Sequence, residues 1–167
     1  MPSRDHDTDA PPAVPVEGLV VLRVAPVETY GLRGSVLRPG APPERVHLDA
    51  DDRPDTAAFA ARDAAGTVVG TAIVYPEPCS WAPDVPGAWR LRGMATAKGR
   101  RSAGVGGRVL AAVLGHVSSE GGALVWCNAR VPARRFYERA GFVTHGDEWV
   151  DPEIGPHVAM WRQLAPQ

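Results

Sequence analysis

The feature that most constrains this chain is a glycine-rich, basic turn set between a strand-like run and an amphipathic helix. Residues 89–96 alternate well enough to form a strand, with Gly93 in the middle. A glycine inside a strand marks a bulge or a close backbone approach by a ligand. The turn, residues 97–107, carries Lys98, Gly99, Arg100, Arg101, Ser102, Ala103, Gly104, Gly106 and Gly107. Val105, Val109, Leu110, Val113, Leu114 and Val117 then recur at the spacing of one helix face. Small residues let the N–H groups of a turn converge on an anion. A helix starting there adds its unsatisfied N–H groups and the positive end of its dipole. Lys98, Arg100, Arg101 and Arg108 supply further positive charge. Together these point to a phosphorylated ligand.

The flanking segments build an α/β chain around this unit. Residues 1–17 read as a polar, disordered tail, and residues 18–165 as one domain. Residues 19–24 suit a strand, and 27–37 a helix ended by Pro39 and Gly40. Residues 41–54, with three prolines and Asp49, Asp51 and Asp52, read as a solvated loop. Residues 56–62 and 67–75 predict an antiparallel hairpin about Gly66, and the proline-rich 76–87 a loop. Gly121 and Gly122 stop the central helix. Residues 123–127, apolar throughout, fit a strand covered on both faces. Ala133, Phe136, Tyr137 and Ala140 have helical spacing, closed by Gly141. Phe142 and Val143 begin another strand, and 157–164 form the last. The sum is a mixed α/β (α+β) sheet with helices on its faces.

Composition narrows the function. A formal net charge of -1 argues against a general nucleic-acid binder. No apolar stretch approaches the roughly 20 residues that cross a bilayer, so no membrane partner is expected and the cytoplasm is the default location. Cys79 and Cys127 are too few for a disulfide framework, and Cys127 reads as a buried, inert thiol. No cluster of metal-binding residues stands out.

Two phosphate signatures fail. The glycines do not fit G-x-x-x-x-G-K-[ST]. Gly104-x-Gly106 lacks the third glycine of the dinucleotide fingerprint, because position 109 is valine. What remains, Arg101-x-x-Gly104-x-Gly106 after a strand, resembles the coenzyme A pyrophosphate loop of the GNAT superfamily of N-acetyltransferases. Asn128 with Ala133, Phe136, Tyr137, Gly141 and Phe142 resembles the later motif of the same superfamily, in its order and spacing. Leu32, Arg33, Val36, Leu37, Arg38, Pro39 and Gly40, with 146–148 and 154–160, are similar to a bacterial branch near the ElaA-like proteins.

The resemblance implies a mostly antiparallel sheet with a splayed parallel strand pair. It implies acetyl-CoA as cofactor, an amine of a small molecule or peptide as acceptor, and direct attack on the thioester. Met94, Ala95 and Thr96 would pair with the pantetheine. The loop of Arg101, Ser102, Ala103, Gly104, Val105 and Gly106 would hold the pyrophosphate through its N–H groups, Gly107 would also face the cofactor, and Lys98, Arg100 or Arg108 would meet the adenosine phosphates. The Met94 N–H would steady the oxyanion, Tyr137 would protonate the thiolate, and Asn128 would bond backbone or cofactor. Arg90 and Arg92 stand where many members have a glutamate base. Glu77, Asp147, Glu148 and His157 are the candidates instead, beside a water relay or no dedicated base. A non-catalytic acyl-CoA-binding or regulatory module is the alternative reading, and oligomeric state is open between a monomer and a homodimer.

Overall fold

The computed structural model describes residues 17–101 and 103–166. Nearly all of the proposed tail, and Ser102 of the turn, lie outside the described residues. Seven strands form one sheet: β1 (Val20–Val24), β2 (Ala57–Arg62), β3 (Val68–Pro76), β4 (Ala88–Thr96), β5 (Leu124–Arg130), β6 (Val143–Asp151) and β7 (Gly155–Gln163). Their spatial order is β1-β2-β3-β4-β5-β7-β6. All neighbours run antiparallel except β4 and β5. The described α-helices are α1 (Tyr30–Leu37), α2 (Val105–Ser119) and α3 (Arg134–Arg139).

The sheet separates two apolar layers. On one face, Val105, Val109, Leu110, Val113 and Val117 of α2 are buried with Val69, Val74, Leu91, Val125, Met160 and, from α3, Tyr137. Each such side chain contributes roughly 1.5–3 kcal/mol by leaving water. On the other face, Ala58, Ile73 and Tyr75 pack with Ala50 and Leu48, on the side that α1 covers. The expected hairpin is present, its turn tied by Asp63 Oδ1, which accepts the N–H groups of Ala65 and Thr67 at 3.0 Å.

Two expectations change. Residues 41–54 are not a purely solvated loop, because Val46, Ala50 and Asp51 are buried. An acidic, proline-bearing run looks like surface; here a distant arginine needs a carboxylate inside. The strand expected over 123–127 also runs on to Arg130. Antiparallel pairing with β7, as far as Arg130 opposite His157, carries it past the apolar run.

Candidate active site

The site begins where pairing stops. β4 and β5 pair only through Ala88 with Leu124, Trp89 with Val125 and Arg90 with Trp126. Beyond this, β4 stays with β3 to Thr96, and β5 stays with β7 to Arg130. The two strands diverge, and a wedge opens through the sheet between residues 91–96 and 127–130. Gly93 sharpens it. Its φ is +63°, a left-handed value that favours glycine, and the β3–β4 register shifts there. Opposite Ala72, β4 thus inserts an extra residue, a bulge that redirects the strand. Thr71 Oγ1 donates to the Gly93 carbonyl at 3.0 Å, and the Arg33 stem lies against Gly93 from the α1 side.

At the wide end of the wedge stands the turn. Gly104 has φ +80° and caps the start of α2, and among the described residues no side-chain cap hydrogen bond meets the first N–H groups of the helix. A Cβ on Gly104 would meet nothing within 4 Å, whereas one on Gly106 would lie 3.1 Å from Phe136. The two motif glycines therefore do different jobs. Gly104 shapes an open turn, and Gly106 lets α3 pack on α2. Of the basic residues, Arg100 is tied to Asp63 at 3.2 Å, and Arg108 donates to the Leu19 carbonyl at 2.9 Å. Lys98 and Arg101 are exposed and have no ion-pair partner among the described residues.

At the narrow end, on the α2–α3 side, Tyr137 is 5% exposed, between Phe136 and Phe142 at 5.0 and 5.4 Å. Its hydroxyl adjoins the Cys127 thiol. Burial holds the Tyr137 hydroxyl well above its ordinary pKa, and the adjoining Cys127 adds to this. Burial likewise pushes the Cys127 thiol up to about 12. Both groups are neutral at physiological pH, and Cys127 is no nucleophile.

The opposite face carries a different set. Arg90, Arg92, Trp126, Asn128, Arg130, His157 and Trp149 share it by strand register. His157 is 6% exposed, and its Nδ1 lies 2.8 Å from the Gly155 carbonyl. A carbonyl only accepts, so Nδ1 carries a proton, and in the neutral ring the lone pair is on Nε2. Trp149 stacks on the ring at 5.7 Å. Glu77, another candidate, is bound to Arg90 at 3.0 Å. Glu148 falls elsewhere: β6 leaves register between His145 and Trp149, and the Glu148 carboxylate points to Arg134 of α3 at 3.9 Å. Asn128, expected near the cofactor, is an exposed strand residue opposite Ala159. The wedge thus brings Met94 and Tyr137 to one passage, keeps His157 on its far side, and excludes Glu148.

Sequence reasoning missed the α1 anchor. Arg33 donates to Asp51 at 2.9 and 3.0 Å, to Thr29 Oγ1 at 3.1 Å and to the Val46 carbonyl at 2.8 Å. Arg33 and Asp51 are 3% and 0% exposed at their side chains.

A splayed parallel pair, a bulged strand and an uncapped glycine turn now stand together, and the sequence profile of the Acetyltransferase (GNAT) family matches residues 28–142. The chain belongs to the GNAT family. It is similar to the uncharacterized N-acetyltransferase YitI of Bacillus subtilis (strain 168), at 28% identity over 87% of this chain and 97% of that protein. Among solved structures, a putative N-acetyltransferase from Lactobacillus plantarum superposes with a TM-score of 0.73 at 20% identity, covering 89% of this chain and all of that one. Escherichia coli ElaA gives 0.71 at 15% identity, covering 86% and 99%. The GNAT architecture accounts for the seven-stranded mixed sheet, and no described helix is long and apolar enough to cross a membrane.

Proposed function

We propose that this GNAT protein transfers an acetyl group from acetyl-CoA to a primary amine of a small molecule or peptide by direct attack. The observation that carries this reading is the wedge, which is open to both faces of the sheet and has chemically different groups on each. The residues present fit acetyl-CoA: an open left-handed Gly104, an uncapped helix start, and unpaired Lys98 and Arg101 suit the phosphates. The edge of β4 over 91–96, left unpaired by β5, suits an extended amide-bearing arm. A solved neighbour of the same fold, an aminoglycoside 6'-N-acetyltransferase, was crystallised with coenzyme A. The donor, when bound, supplies an activated thioester.

The roles of the chain's own groups follow from their side of the sheet. The Met94 N–H, just past the bulge, donates to the thioester oxygen. On the far face, His157 Nε2 takes the proton that the amine loses as its nitrogen bonds the acetyl carbon. Tyr137, protonated by burial, gives its proton to the sulfur as the carbon–sulfur bond breaks, and regains one from solvent. Both sides of the site come from one chain, so a homodimer is not required. Two free, buried cysteines suit a reducing compartment, and we place the protein in the cytoplasm.

Acetyl-CoA and CoA should raise the melting temperature while NAD and ATP do not, since only bound ligand stabilises. No response to either CoA species would sink the reading. In a thiol-release assay over an amine panel, Tyr137→Phe should lower kcat on the order of 100-fold with acetyl-CoA affinity kept. Binding without turnover on every amine would favour a non-catalytic acyl-CoA module.

A further inference from the structure

We infer that the acceptor face of the wedge holds an anion subsite centred on Arg92, and that the amine used by this chain carries a carboxylate. This rests on the transferase reading above and adds the class of acceptor.

Arg92 lies on β4 opposite Ile73. Ile73 belongs to the apolar cluster with Ala50, Ala58 and Tyr75, and cross-strand partners share a face. Arg92 therefore stands on the α1 side, away from α2. It is half-buried, and among the described residues it has no carboxylate, carbonyl or ring partner. Its arginine neighbours on that face each have a partner, although the buried Nε of Arg90 has none among the described residues. Arg33 is bound by Asp51, Arg90 by Glu77, and Arg130 donates to the Leu37 carbonyl at 2.7 Å. Arg38 pairs with Glu153 at 3.3 Å. A guanidinium cannot shed its charge, and half-burial without a counter-ion carries a desolvation cost that an incoming anion removes. Arg33, Arg90, Arg92 and Arg130 against Asp51 and Glu77 leave two guanidiniums without a carboxylate; Arg130 is hydrogen-bonded to a carbonyl, and Arg92 has no partner among the described residues.

The cofactor does not supply the missing anion. Its phosphates belong to the turn at 97–107, beyond Met94. Arg92 lies on the other side of Met94, about 7 Å back along the strand. An anion there must arrive with the acceptor. Asn128, exposed on the same face across the wedge, offers an amide to the same group. Glu77 is already engaged by Arg90 and Asp51 by Arg33, so a second ammonium on the acceptor finds no free carboxylate beside them.

The test uses matched acceptors: L-amino acids against their carboxamides, with acetyl-CoA saturating. The wild type should favour the carboxylate in kcat/KM by on the order of 10- to 100-fold. Arg92→Met should bring that ratio close to unity, and Arg92→Lys should keep part of it. Equal or inverted preference in the wild type, or preference retained in Arg92→Met, overturns the subsite. If CoA binds but no amine is acetylated, the transferase reading fails by itself. The subsite is then judged by titrating N-acetylglycine into the CoA complex. Binding that Arg92→Met abolishes supports it, and absence of binding, or binding that survives the substitution, overturns it.

Discussion

The two sides of the wedge are held by different physics. The cofactor side is made of backbone and apolar packing: a left-handed Gly104, an uncapped helix start, and Tyr137 enclosed between Phe136 and Phe142. The acceptor side is made of charge. Arg33 with Asp51, Arg90 with Glu77, and Arg38 with Glu153 bridge separations of 18, 13 and 115 residues. On the proposed reading, the donor is met by a short glycine-bearing turn that the sequence encodes locally. On the same reading, the acceptor is met by long side chains drawn from distant segments. In the proposed mechanism the acid, Tyr137, and the base, His157, fall on opposite faces, so neither proton has to cross the sheet.

The strongest blow to this division would fall on the acceptor side. Asp51→Ala should leave Arg33 charged and buried, lowering the unfolding free energy by about 3–5 kcal/mol. Urea denaturation measures it, and a change below about 1 kcal/mol would mean that water takes over the role of the carboxylate. Because the Arg33 stem also rests on Gly93, surviving enzyme should lose kcat more than acetyl-CoA affinity. On the cofactor side, Gly104→Val puts a branched residue at φ +80° in the open turn. Acetyl-CoA affinity by calorimetry should fall on the order of 10- to 100-fold, against an added strain of about 1–2 kcal/mol. An unchanged affinity would show that the turn is not the phosphate site.

The smallest expected effect concerns the narrow end. The Cys127 thiol is raised from 9.0 to about 12 and Tyr137 lies well above 10.0, so the native state keeps protons that the unfolded chain releases. Stability from these groups is complete below about pH 9 and declines as pH climbs toward 12. Thiol reagents should label Cys127 only on unfolding. Cys127→Ala should flatten the alkaline decline seen in denaturation between about pH 9 and 10. A slope equal to that of the wild type would place the alkaline sensitivity elsewhere.

Much of the cofactor side was legible in the chain because its determinants are local. Glycines at 104 and 106 and the spacing of Phe136 and Tyr137 are short-range patterns, and the order of strand, turn and helix followed from periodicity. The seven strands were largely readable for the same reason. The bulge too was signalled, since Gly93 interrupts an otherwise alternating strand.

Tertiary structure alone decided the rest. It turned Asp51 from an apparent surface acid into the buried partner of Arg33, carried β5 on to Arg130, and sent Glu148 to the α3 side through the looped register of β6. It also showed that Arg90, and not Arg92, has a carboxylate beside it. A charge is placed by what comes to face it, and a sequence does not list those meetings. A backbone turn needs only the residues within it, which is why the glycine-rich loop spoke first and the acceptor face only once the chain had folded.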